Sequence, residues 1–144
     1  MTNSCCCIEG SALVLMADGS ERPLCEIRPG DLVRTETGSA CVSDVLSGTE
    51  PCLIHIEFEQ HGYLDATGGH PLFSDEGIKR CDEVNRGDLL RTQDACVPVK
   101  SVTLTEGLAK VCNLSFEEES SFFANGLLVG DFALQSRLAT RARR

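Results

Sequence analysis

The stretch EIRPGDLVRT at residues 26–35 returns as EVNRGDLLRT at residues 83–92. Glu, Gly, Asp, Leu, Arg and Thr recur at a constant offset of 57, with Ile/Val and Val/Leu exchanged conservatively. Self-similarity of this length marks an internal duplication. Working outward, the same step pairs Leu15 with Leu72 and Asp18 with Asp75. Farther along, ACV at 40–42 answers ACV at 95–97, IEFE at 56–59 answers LSFE at 114–117, and ATG at 66–68 answers ANG at 124–126. Small drifts in the offset are what loop insertions leave behind. A solenoid takes about three or more units, and this chain has two. The expectation is two intertwined halves related by a pseudo-twofold axis.

Each half reads as short strands. SALVLM (11–16), DLVRT (31–35), ACVSDV (40–45), CLIHIEF (52–58) and GYLDAT (62–67) are brief and β-branched or aromatic, and several alternate apolar with polar. Turn signals divide them at Asp18-Gly19, Pro29-Gly30, Gly48, Gly62 and Gly68-Gly69. The second half continues with DLLRT, ACVPVKSVTL, AKVCNLSF and SFFANGLLV, where Asn125-Gly126 is a hairpin signal. LCEI and CDEV, each before an x-x-Gly-Asp turn, read as single helical turns. Only the tail, FALQSRLATRARR, has helical spacing, with Leu134 and Leu138 four apart. The fold class is all-β.

At 144 residues the chain fits one domain with a real core. No apolar run approaches the roughly 20 residues that span a bilayer. The start, MTNSCCC, lacks the basic and apolar regions of a signal peptide. A net charge of −9 argues against a nucleic-acid surface. The only basic cluster is Arg141, Arg143 and Arg144, read as a solvated end. Nine cysteines are an odd number without a C-x-x-C pair, and His55, His61 and His70 do not stand at zinc-finger spacing. Cysteines 25, 41, 52, 81, 96 and 112 stand singly in apolar stretches, so a reduced, metal-free chain with buried thiols is expected. His55 reads as a strand residue in polar surroundings, Glu117–Glu119 as a solvated loop, and Cys112 as a core thiol.

Three places carry chemistry-bearing residues: Cys7 at the edge of the first apolar strand, Thr67-Gly-Gly-His70, and Asn125 to Phe132. Cys7 sits where a polar start meets that strand, so an exposed, well-placed thiol is expected. Such a thiolate can attack the carbonyl of Cys6 and turn an amide into a thioester, given a donor for the leaving amine and support for the oxyanion. His70 titrates near neutral pH and suits that donor, and Thr67 three residues earlier can add a hydroxyl. The residues alone are read more readily as an ordinary terminal thiol and a histidine that caps a turn before Pro71.

The order of motifs goes further. CIEGSALVLMADGS from Cys7, then IRPGDLV, TGGH with PLF, and VCNLSF followed by SFFANGLLV together resemble Hedgehog/intein (Hint) domains from Cys7 to about Asp131. GSA after the cysteine is closer to the Hedgehog type. The resemblance implies a pseudo-twofold β fold, residues 1–6 as the end of an upstream segment, 7–131 as an autoprocessing domain and 132–144 as a tail. It implies Cys7 as the nucleophile, with Cys5 and Cys6 as competitors, and Thr67 and His70 as supports of an N-to-S acyl shift at the 6–7 bond. The domain then acts in cis on its upstream segment without a cofactor, and water, a thiol or a hydroxyl compound resolves the thioester. Asp44 or Glu50 is a candidate base for that step.

The C-terminal motif departs from splicing inteins. Where the family has His-Asn before Cys, Ser or Thr, this chain has Gly130-Asp131-Phe132. A carboxylate does not form the succinimide that an Asn amide forms, and Phe132 has no nucleophilic atom. Efficient splicing is therefore not expected; Asp131 is kept as a candidate for a slow C-terminal cut. No endonuclease-sized insertion separates the halves, so homing is not expected either. The rival readings are a Hint fold without catalysis that serves as a binding module, and a metal or redox module built on Cys5–Cys7.

Overall fold

The computed structural model describes residues 7–60 and 62–142. Cys5, Cys6, His61, Arg143 and Arg144, and with them the upstream segment 1–6, lie outside the described residues. The first half runs through β1 (Ile8–Glu9), β2 (Leu13–Leu15), β3 (Glu21–Pro23), a 3-10 turn (Leu24–Glu26), β4 (Leu32–Arg34), β5 (Ser39–Phe58) and β6 (Gly62–Ala66). The second runs through β7 (Pro71–Ser74), β8 (Gly77–Arg80), a 3-10 turn (Cys81–Glu83), β9 (Leu89–Arg91), β10 (Cys96–Phe116), β11 (Ser121–Ala124) and β12 (Leu127–Gly130), and α1 (Phe132–Ala142) follows. The fold is all-β, as the strand patterns require.

The repeated Gly-Asp turns show why the duplication is legible. Gly30 and Gly87 have φ of 97° and 92°, a left-handed backbone that a side chain disfavours. Each donates its N–H across the fold, to the carbonyls of Val42 (2.8 Å) and Val99 (2.9 Å). The following aspartate closes the turn: Asp31 accepts the N–H of Arg28 at 2.9 Å, and Asp88 that of Asn85 at 2.8 Å. Each carboxylate also holds one cation, Arg22 in the first half and Lys79 in the second, both at 2.8 Å. The two 3-10 turns precede these loops, where LCEI and CDEV predicted them.

The two long strands β5 and β10 pair antiparallel with each other from Phe58↔Val99 to Val42↔Phe116, with bulges. β6 pairs with β5 and β1 with β10, and Ile8 meets Ala66 to join β1 to β6. The expected turn at Gly48 is absent: Gly48 lies within β5 opposite Val111, so the two segments 40–45 and 52–58 are one strand. A single Gly in an alternating run cannot distinguish a break from a close strand crossing. The core beneath is continuous, with Ile8, Leu24, Ile56, Leu64, Leu72, Leu114 and Phe122 fully buried. Each such side chain is worth about 1.5–3 kcal/mol relative to exposure.

The expectation of a reduced chain is overturned. Cys25 and Cys112 form a disulfide, with Cα atoms 5.9 Å apart and a separation of 87 in sequence. It ties the first 3-10 turn to β10. Gly10 lies against it, where a Cβ would collide with the Cys25 sulfur. Of the other single cysteines, Cys81 is buried, which pushes its thiol up to about 12, but Cys41, Cys52 and Cys96 are exposed. Those three occupy the outward positions of half-buried strands.

Candidate active site

Cys7 enters the fold one residue before β1, and it is buried, with 8% of its surface exposed. The expected exposed thiol is therefore corrected. β1 is paired on both edges, by β10 and by β6, so a residue entering it is already inside. Cys7 packs with Leu53 and Val111, flanked by Ala109, in a small cluster separate from the main core.

Thr67 clamps Cys7 at both backbone groups. The Cys7 N–H donates to Thr67 Oγ1 at 3.0 Å, and the Thr67 N–H donates to the Cys7 carbonyl at 2.9 Å. The first bond engages the nitrogen of the 6–7 peptide bond itself. His70 follows in the turn that Thr67 closes, donating its N–H to the Thr67 carbonyl at 3.2 Å, and its side chain is fully buried. The His70 carbonyl accepts the N–H of Cys81 at 2.9 Å, and that of Gly68 the N–H of Asp82 at 2.9 Å. The loop is thereby packed onto the second 3-10 turn. The approach is close at Gly68, where a Cβ would stand 3.2 Å from Asp82 Oδ2.

Asp131 is fully buried at the end of β12, and both carboxylate oxygens are engaged. Oδ1 accepts the N–H of Leu134 at 2.9 Å and Oδ2 that of Ser120 at 3.0 Å. Asp131 is thus the N-cap of α1 and a tie to the β10–β11 loop. Burial raises its pKa above the usual carboxylate value, and Glu119 adds to this against the two N–H bonds. Val129 pairs with Leu72, and a Cβ at Gly130 would meet Pro71 at 2.7 Å and collide with Leu134. The helix side chain therefore fills the space that a histidine at position 130 would take. Arg137 on α1 forms a two-pronged pair with Glu119 at 2.9 Å, so Glu119 of the expected solvated loop is anchored.

One polar residue escaped the sequence reading. Asn113 is fully buried and follows Cys112, the partner of Ile8, so the antiparallel register carries it opposite Cys7 on the side away from Thr67. Only that register and its burial mark it; an Asn inside VCNLSF gives no other signal. Of the two candidate bases, Glu50 pairs with Ala109 beside the Cys7 cluster, while Asp44 is exposed opposite Ser115 and accepts the N–H of Val45. Cys112 is in the disulfide. Asn125 (φ 50°) and Gly126 (φ 87°) form the β11–β12 hairpin turn, as the signal predicts.

His55 belongs to a cross-strand cluster. Its Nδ1 lies 2.6 Å from Asp65 Oδ1, its Nε2 lies 3.1 Å from Glu57 Oε2, and its ring stacks 5.4 Å from that of Tyr63. Burial pulls its pKa down, but the bonds to Asp65 and Glu57 outweigh it and raise the group above its ordinary value. Among the described residues, no three His, Cys, Asp or Glu side chains are grouped to hold a metal ion, and no helix is long and apolar enough to cross a membrane.

No family model and no curated protein sequence matches the chain. Solved structures do. The bacterial intein-like domain from Clostridium thermocellum superposes with a TM-score of 0.81 at 21% identity, covering 89% of this chain and 100% of its own. The Ssp DnaB mini-intein variant M86 gives 0.78 at 23%, covering 91% and 97%. A DnaB intein from Synechocystis sp. PCC 6803 gives 0.76 at 21%, covering 88% and 99%. Likeness at this level of identity is one of architecture, and together with the duplicated halves and the paired long strands it shows that the chain has the Hint fold of inteins.

Proposed function

We propose that this domain processes its own backbone, forming a thioester at Cys7 and releasing the segment upstream of it. The observation that carries the reading is the 3.0 Å hydrogen bond from the Cys7 N–H to Thr67 Oγ1. In the reaction the Cys7 sulfur attacks the carbonyl carbon of Cys6, and the Cys7 nitrogen leaves as an amine. That nitrogen is amide-like before the step and basic after it. A hydroxyl can accept its N–H in the first state and donate to its lone pair in the second. His70 is assigned the proton delivered to that amine, as general acid. The carbonyl of Cys7 is meanwhile held by the Thr67 N–H, so the nucleophile's backbone does not shift with the leaving group.

The C-terminal side supports cleavage at one end only. Asp131 serves α1 as its cap with both oxygens engaged and Phe132 begins the helix, which supports a domain of residues 7–131 with α1 as its tail. The test is intact mass over time for the chain fused behind a small folded domain. Hydroxylamine, which leaves disulfides intact, is added in one arm, beside Cys7→Ala and His70→Ala. A mass break between Cys6 and Cys7, accelerated by hydroxylamine and absent in Cys7→Ala, is expected. A break one or two residues earlier moves the nucleophile to Cys6 or Cys5. An intact fusion in a folded sample removes the reading and leaves a binding module.

A further inference from the structure

The Cys25–Cys112 disulfide approaches Cys7 from the opposite face of the strand that Cys7 enters. Cys112 is the register partner of Ile8, the residue after Cys7, and lies with Ile8 in the main core. Cys7 packs instead in the separate cluster with Val111 and Leu53. Successive side chains of a strand point to opposite faces, so the Cys7 thiol and the disulfide communicate only through the backbone of β1. Two backbone hydrogen bonds make that connection. The Cys25 N–H donates to the Gly10 carbonyl at 3.0 Å, and the Gly10 N–H donates to the Lys110 carbonyl at 2.9 Å. Lys110 stands two residues before Cys112 on β10, so these bonds and the disulfide close a ring through Gly10, three residues after Cys7. The ring has no room to spare: a Cβ at Gly10 would stand 2.3 Å from the Cys25 sulfur. Its neighbours Ile8, Leu24 and Leu114 are fully buried.

We propose that the Cys25–Cys112 bond is a redox switch on upstream release, keeping the domain active while oxidised and slowing it when reduced. The proposal rests on the thioester reading above. Cys25 is half-buried and Cys112 is buried, so a reductant enters at the Cys25 sulfur. A dithiol attacks there as its thiolate; the S–S bond breaks, and the Cys112 sulfur leaves with the electron pair and takes a proton. The second thiol of the reductant then displaces the Cys25 sulfur in the same way. The products are two protein thiols and the disulfide form of the reductant. Two sulfhydryl groups need more room than the bond they replace, and the ring through Gly10 does not offer it. The element that yields is β1, because a strand of two residues has no stability apart from its neighbours. Displacement of Gly10 passes along three residues to Cys7, whose N–H must meet Thr67 Oγ1. A misplacement of about 1 Å at a reacting group costs up to about a hundredfold in rate.

The experiment uses the full chain behind a folded fusion partner, with Cys5, Cys6, Cys41, Cys52 and Cys96 changed to serine. A phosphine reduces the disulfide without resolving a thioester, and hydroxylamine resolves the thioester without reducing the disulfide, so the two are varied separately. Release by hydroxylamine, read by intact mass, should fall at least about tenfold on reduction and return on reoxidation, with the far-UV circular dichroism unchanged throughout. Cys25→Ala and Cys112→Ala together should release at the reduced rate with or without phosphine. Equal rates from the oxidised and reduced folded samples would overturn the proposal, as would full-rate release by the double variant. So would a bond that survives phosphine in the native protein, or unfolding on reduction, which would make the bond a support of the whole fold. Failure of the thioester reading is distinguishable: the oxidised domain would then release nothing with hydroxylamine.

Discussion

Reducing the Cys25–Cys112 bond should cost the domain about 4.5 kcal/mol, because it closes a loop spanning 87 residues of sequence. The chain-entropy relation gives roughly 15 cal/mol/K for a loop of this length, or about 4.5 kcal/mol at 25 °C. Residual compactness in the reduced unfolded chain lowers this, so the figure is an upper bound. Reduction is a better perturbation than replacement, since either cysteine changed to serine would also leave a hydroxyl in the closed space beside Gly10. The assay is urea unfolding followed by far-UV circular dichroism, in a chain with Cys5, Cys6, Cys41, Cys52 and Cys96 changed to serine, oxidised or held in a phosphine reductant. With a slope of about 2 kcal/mol/M, the midpoint should drop by about 2 M. Coincident midpoints would refute the reasoning, as would thiol titration finding Cys25 and Cys112 free in the unreduced native sample.

Thr67→Val removes the acceptor of the Cys7 N–H and should cost about 1–3 kcal/mol through that buried donor, with upstream release slowed at least tenfold; Thr67→Ser should restore both, as read by thermal melts and intact mass. Asp131→Ala should lower stability by about 1–2 kcal/mol in urea unfolding, since it deletes a helix cap. Gly30→Ala and Gly87→Ala should each cost about 1–2 kcal/mol by the same assay, and by nearly equal amounts, because both force a side chain into the same left-handed turn. His55 has a raised folded-state pKa, so the stability it confers is complete below the unfolded-state value and is lost as pH rises through the folded-state value. His55→Gln should therefore cost stability at pH 5.5 and little at pH 9, in melts across that range.

The halves were legible because their scaffold residues answer to local backbone rules. A glycine with positive φ and an aspartate that closes its turn have few substitutes, so Gly30-Asp31 and Gly87-Asp88 survive side by side in the sequence. Cys7, Thr67 and His70 were visible as residue types but not in their surroundings. The thiol expected at the surface is buried because β1 is covered on both edges by strands far away in sequence. The same holds for Cys25 and Cys112, whose spacing carries no sign of pairing, and for Asn113, whose place opposite Cys7 depends on the β1–β10 register. Gly48 failed in the opposite way, as a local signal overridden by the pairing of β5 with β10.

This division has a consequence for when the reaction can begin. At the offset of 57, the scaffold positions of the halves match, but Cys7 corresponds to Leu64, Thr67 to Gly10 and His70 to Leu13. The reactive groups therefore stand where the halves differ, and the contact that holds Cys7 to Thr67 is long-range in sequence. Cys7 reaches Thr67 across a separation of 60, and β1 is fixed on its other edge by Val111 and Cys112 of β10. A strand of two residues has no stability without both neighbours, and closing such long loops is entropically costly until the core contacts follow. Thr67 can engage the 6–7 amide only after β10 has joined β5, so upstream release should lag behind folding of the second half. A chain ending before β10 retains Cys7, Thr67 and His70 yet should release nothing with hydroxylamine. Release from such a fragment at the rate of the whole domain would mean that the clamp on Cys7 does not depend on the sheet.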